Sequence, residues 1–268
     1  MYKRQVVLLE KEDKRNFIYL LPIGDIHCGS AQSDLKKFEG YIDWAKREKA
    51  YIFLMGDLYD VVTKDGVSDL FDCSMNLQDA KHYLRDRLRP VKDLIVGAIR
   101  GNHEARLMRY AHCDLIEDLC DDLQIPYGKL SAVVRFRVGH TPRKKGEDSY
   151  DSTRINYLGY FHHTRGGGAT PGGKVNRAAK LSEIAEGMDF LVGAHNHQEA
   201  ALPIDRYRVH TDASGKAILK ADKVFLIDSG SFLNWENSYA EEMGLPPSHT
   251  GCPRLRLDGT RKDVHVSQ

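Results

Sequence analysis

The chain has 268 residues, enough to bury a full core as one large domain or two small ones. Apolar residues make up 41% and charged residues 29%, an ordinary balance for a globular protein. With 39 Lys and Arg against 38 Asp and Glu the net charge is +1, which gives no general electrostatic case for nucleic acid or membrane binding.

"NFIYLLPIGD" is a compact apolar run ending in Gly-Asp and predicts a buried strand. Ser33 is placed to cap a helix whose Leu35, Phe38, Ile42 and Ala45 recur at helical spacing. "AYIFLMGD" predicts a second buried strand with the same ending. A charged helical stretch, roughly 77 to 92, leads to a third strand, "LIVGAIRGN". Leu115, Ile116, Leu119 and Leu123 suggest a helix ending before Pro126, and "AVVRFRVG" alternates like a half-buried strand. "INYLGYF" is a strand followed by a glycine-rich loop, a helix near 174–186 and the strand "DFLVGA". From about residue 200 onward the pattern reads as short strands with turns, closing in a hairpin around Asp258-Gly259. Alternating elements followed by β segments predict a layered α/β fold with a mixed sheet.

Five cysteines (28, 73, 113, 120 and 252) form no CxxC pair, so neither a disulfide framework nor a zinc knuckle is indicated. The first sixteen residues lack the apolar run of a signal peptide. No stretch reaches the ~20 apolar residues of a membrane span, so a reducing cytoplasm is the expectation. The basic groups at Arg85, Arg87, Arg89 and Lys92, and "PRKKG" at 142–146, read as a solvated helix face and a surface loop.

Polar residues gather where the apolar runs stop, at "GDIH" (24–27), "GDLYD" (56–60), "GNHE" (101–104), "HH" (162–163) and "AHNH" (194–197). In an open α/β sheet the carboxyl ends of the strands converge on one crevice. Asp25, His27, Asp57, Asn102, His103, His162, His195 and His197 are therefore expected to meet. Each motif alone reads as a turn or loop; five at successive strand ends do not. A set of carboxylates, imidazoles and an amide suits divalent metals such as manganese, iron or zinc. Eight such groups exceed what one tetrahedral zinc requires, so two metals fit better.

In this order and context the motifs resemble the calcineurin-like metallophosphoesterase family, over nearly the whole chain from Asp25 to His197. The glycine-rich "HHTRGGGATPGGK" is similar to phage- or prophage-type members. The resemblance implies one domain spanning 1–268, a sandwich of two mixed β-sheets flanked by helices, and a metal-dependent phosphoric ester hydrolase. It implies two divalent ions, manganese first, with iron, zinc or nickel as alternatives. By position one metal would take Asp25, His27 and His197, the second Asn102, His162 and His195, with Asp57 bridging. His162 is preferred over His163 as the first polar residue after the strand. His103 would act as general acid, Asp60 would orient it, and Arg165 would contact substrate phosphate. The family usually has Gly before the last histidine pair; Ala194 stands there instead.

"GATPGGKV" (168–175) nearly spells a phosphate-binding P-loop, the basis of a rival nucleotide-binding reading. Val175 replaces the hydroxyl that would hold magnesium, and Pro171 removes an amide donor, so a loop lining the cleft is favoured. A third reading is a metal-binding scaffold that has lost catalysis; the complete ligand set argues against it. The expected partner is a phosphoester substrate, nucleic acid included, with a lean toward phosphodiesterase or nuclease; selective contacts would come from 61–82, 141–152 and 165–175. Oligomeric state is not readable.

Overall fold

The computed structural model describes residues 7–62, 73–139, 154–164, 171–212, 214–238, 241, 244 and 247–267. Two mixed sheets pack face to face. One has the order β1 (Val7–Asp13), β5 (Ser131–Val138), β6 (Ile155–His163), β7 (Phe190–Ala194), β9 (Ala217–Ser229), β8 (Glu199–Thr211). The other runs β11 (Val264–Ser267), β10 (Arg254–Asp258), β2 (Phe17–Ile23), β3 (Tyr51–Leu54), β4 (Ile95–Ala98). β2, β3 and β4 are mutually parallel, and so are β6, β7 and β9. The carboxyl ends of these two parallel triplets bring their following loops together at one edge of the sandwich.

Between the sheets lies an apolar layer that includes Ile18, Leu20, Phe53, Val134, Phe136, Phe161, Phe190 and Val192. The Phe53 and Phe161 rings stack across it with centroids 4.0 Å apart. The outer face of the β2–β4 sheet buries Phe38, Ile42, Leu84, Leu88, Leu119 and Leu123 from α1 (Leu35–Glu48), α2 (Leu77–Leu88) and α4 (Leu115–Leu123). α5 (Pro171–Ile184) covers the other sheet through Leu181, against Tyr160, Leu191 and Leu226. A buried side chain of this size contributes roughly 1.5–3 kcal/mol, so these three layers supply the main driving force. No helix among the described residues is long and apolar enough to cross a membrane.

Several expectations shift in detail. Asp34, not Ser33, caps α1 and accepts from Lys37 N at 3.0 Å; the Ser33 hydroxyl instead donates to the Ile26 carbonyl at 2.6 Å. The charged helix stops at Leu88, where Pro90 tightens the chain into a 3-10 turn, Arg89–Leu94. β1 was not legible in the sequence: it is an edge strand, half solvated, whose Glu10 pairs with Arg135 of its neighbour at 2.9 Å. The short strands expected after residue 200 are two 13-residue strands, β8 and β9, paired along their full length.

Candidate metal centre

Asp25 and His27 follow β2, Asp57 and Asp60 follow β3, and Asn102 and His103 open α3 (Asn102–Ala111) after β4. From the facing sheet, His163 ends β6 and His195 and His197 follow β7. The β2 and β3 loops zip together: Asp25 N donates to Gly56 O at 3.0 Å, His27 N to Asp57 O at 3.0 Å and Cys28 N to Leu58 O at 2.9 Å. Across the sheets, His195 N donates to Asp25 Oδ2 at 2.9 Å.

Asp25, His27, Asp57, His195 and His197 all adopt positive φ, between 47° and 85°. For residues with a β-carbon this costs of order 1–3 kcal/mol each and persists only where the surroundings enforce it. The turns aim these five side chains into one space. Gly101 is required for a different reason: a β-carbon there would fall inside the Asp57 carboxylate. That carboxylate accepts from His103 N at 2.8 Å on Oδ1, and His163 Nε2 lies 3.2 Å and His195 Nδ1 3.9 Å from Oδ2. Asp25 Oδ1 lies 3.4 Å from His197 Nε2 and 3.9 Å from His27 Nε2, and the two imidazole nitrogens are 3.2 Å apart.

Of the histidine doublet, the structure brings His163 into the cluster, where the sequence preferred His162 and kept His163 as the alternative. Side chains alternate along a strand, and β6 sends Tyr157, Phe161 and hence His163 between the sheets, while Tyr160 and His162 take the α5 side. His163 Nδ1 donates to the Met55 carbonyl at 2.8 Å, which presents Nε2 to Asp57 and to Asn102 Oδ1, 3.1 Å away. Asp60 Oδ1 lies 3.2 Å from His103 Nδ1 and 3.8 Å from His27 Nδ1. Arg165 falls outside the described residues, as do most of the segments expected to select substrate.

The charges are interlocked. Burial acts to raise Asp57, but His163 and then His103 outweigh it and hold the carboxyl well below its ordinary value. Burial likewise opposes ionisation of Asp25 and Asp60, and His197 and His103 respectively override it and lower both. Burial would depress His163, yet the Asp57 carboxylate lifts it to about 10. His103 is raised in the same manner by Asp57 and Asp60, whereas burial and His103 lower His27.

Two residues without an assigned role in the sequence reading prove structural to the site. Glu104 is fully buried; Oε1 accepts from Leu58 N and Tyr59 N, and Oε2 from Asp57 N and Gly101 N, at 2.7–3.1 Å. Burial, then the charge of Asp57, pushes its carboxyl up to about 7. It clamps the β3 loop to the start of α3, its Oε2 reaching back to the N-cap amide of Gly101 at 2.9 Å. Asp228, buried on β9, accepts from Asn196 Nδ2 at 2.6 Å and so anchors the loop carrying His195 and His197. No sequence pattern marks that pairing.

The residues fit divalent cations. Asp25–His27–His197 and Asp57–His163–His195 each offer three ligand atoms within 4.8 Å of one another, and His27–Asp57–His103 links them. Asp25 Oδ1, Asp57 Oδ2 and His195 Nδ1 are buried without a hydrogen bond, a costly arrangement unless a cation takes their lone pairs. The donors are carboxylate and imidazole with no thiolate, as hard-to-borderline metals require.

No family model matches the chain, and no curated protein matches it. Among solved structures, the chain is similar to Vps29 of Chaetomium thermophilum, at 13% identity and TM-score 0.41, over 93% of this chain and 94% of that one. It is also similar to GAP50, the anchor in the inner membrane complex of Plasmodium, at 11% identity and TM-score 0.41, over 94% and 84% of the respective chains. What the site can do is therefore argued from its own geometry: clustered His and Asp groups able to hold metal ions, at the edge of a two-sheet sandwich.

Proposed function

We propose that this chain is a dinuclear-metal-dependent phosphoester hydrolase, with phosphodiesters, nucleic acid included, as preferred substrates. The observation that carries the reading is the position of Asp57, which joins both the His163–His195 group and the His27–His103 group. Asp25, His27 and His197 would hold one ion, Asn102, His163 and His195 the other, and Asp57 would serve both. When bound, two such cations, manganese first among the candidates, would supply Lewis acidity toward a phosphoryl group and a lowered pKa for bound water. The protein supplies the rest. Asp60 fixes His103 through Nδ1, which leaves Nε2 as the proton donor to a leaving oxygen. The Asp57 and Asp60 carboxylates beside His103 favour its protonated form against the opposing effect of burial. The N-terminal end of α3 faces the same space and favours negative charge there. An alkoxide, such as a sugar oxygen of nucleic acid, departs poorly without a proton, and this is why a placed acid favours such substrates.

The test is a panel with added manganese: p-nitrophenyl phosphate, its bis ester, cyclic nucleotides, and single- and double-stranded DNA, with metal content determined in parallel. Hydrolysis of diesters by protein holding two metals per chain is expected. One metal at saturation, or metal-loaded protein inert on the whole panel, would overturn the reading.

A further inference from the structure

α3 carries its cations on the face it shares with the centre. Arg106 stands four residues after Asn102 and three after His103, and Arg109 a further three along. Residues three or four apart on a helix are neighbours, with β-carbons ≈5–6 Å apart, so Arg106 lies directly behind the proposed acid and ligand. Arg106 is half-buried, Arg109 is exposed, and neither makes an ion pair or hydrogen bond among the described residues. By contrast, Arg100, Arg135, Arg137, Arg154 and Arg208 are each paired with a carboxylate. Tyr110, 60% exposed, lies beside this line, four residues after Arg106. The line runs about 9 Å from His103 to Arg109 at 1.5 Å per residue.

Resting on the phosphoesterase reading, we propose that Arg106 and Arg109, with Tyr110, form a track along α3 that holds a second phosphate of a single nucleic acid strand. The scissile phosphate sits at the N-terminus of α3, where the amide dipoles favour it. Arg106 takes the next phosphate on the leaving-group side by charge-assisted hydrogen bonds, and the Tyr110 ring offers a face for a base. A condensed phosphate such as tripolyphosphate shares the two-anion chemistry but has no base to stack.

The experiment measures binding, so that it does not depend on turnover. Fluorescein-labelled dT10 with phosphorothioate linkages, which resist hydrolysis, is titrated with manganese-loaded protein and followed by anisotropy. Arg106→Gln is expected to weaken binding about ten-fold or more, the usual scale for a lost charged hydrogen bond. The slope of log affinity against log salt should fall by about one, the mark of one lost phosphate contact. Arg106→Lys should restore part of both, and Tyr110→Ala should weaken dT10 but not tripolyphosphate. In calorimetry, orthophosphate affinity should fall far less than that of dT10. No binding of dT10 by the wild type, or unchanged affinity and salt slope in Arg106→Gln, would overturn the track. Equal dependence on Tyr110 for both ligands, or tighter binding of tripolyphosphate than of dT10, would overturn its assignment to a strand. If the track binds as described while the metal-loaded protein hydrolyses no ester, the catalytic reading fails and the track stands.

Discussion

Glu104 shows how one buried carboxylate organises a site it does not enter. Its two oxygens satisfy four backbone N–H groups from two loops. Glu104→Gln replaces one oxygen by an NH2, which leaves two amides facing a donor. At ~1–3 kcal/mol for each unsatisfied buried group, a loss of roughly 2–5 kcal/mol is expected in denaturant unfolding, with an unchanged m-value. A loss under ~1 kcal/mol would mean that the amides find other partners. At the same scale, His103 is valued by its leaving group. His103→Gln should cost ~10²–10⁴-fold in kcat on an alkyl phosphoester and much less on a nitrophenyl one, with metal content intact. Equal losses on both would reduce His103 to a phosphate-positioning residue.

The strands decide which polar residues reach the centre. Strand alternation puts Phe161 and His163 on one face of β6 and His162 on the other. His163→Ala should therefore lower metal content measured by elemental analysis, while His162→Ala leaves it near the wild-type level; the reverse result would return the ligand to His162. Much at this scale was legible in the sequence. Five apolar runs ending in Asp, Asn or His are a signal that needs no alignment, because parallel strands must deliver their ends to one crevice. The choice within the doublet was not legible, since both neighbours of the face rule, Tyr160 and Phe161, are buried and aromatic. β1 was missed, and β8 and β9 were read as shorter than they are, because their charges lie on solvated faces, where alternation carries little apolar contrast. Nor did the sequence show the positive φ angles: Asp and His occupy them here only because the surrounding loops enforce it.

At the scale of the molecule the centre straddles the two sheets. Asp25, His27, Asp57 and Asn102 belong to one sheet's loops, and His163, His195 and His197 to the other's. Metal bound there ties the layers together, and a ligand that binds only the folded state stabilises it by about 2.7 kcal/mol at a hundred times its Kd. For a chain of this size each kcal/mol moves Tm by ~2–4 °C. Manganese should thus raise Tm by ~5–10 °C, and a chelator should reverse the rise. A Tm indifferent to metal would mean that the cluster binds none tightly.

The Asp25–His195 hydrogen bond spans 170 residues of sequence and joins the two sheets. The bond joins loops of different sheets and needs both sheets docked, so it is expected to close late in folding. The centre is then unformed in the folding transition state. Metal should leave the refolding rate nearly unchanged and slow unfolding by almost the full factor of its stabilisation. In a chevron measured with and without manganese, only the unfolding arm should drop. The ion would thus act as a latch on the finished fold rather than a seed for it, and the lifetime of the native state would follow metal supply.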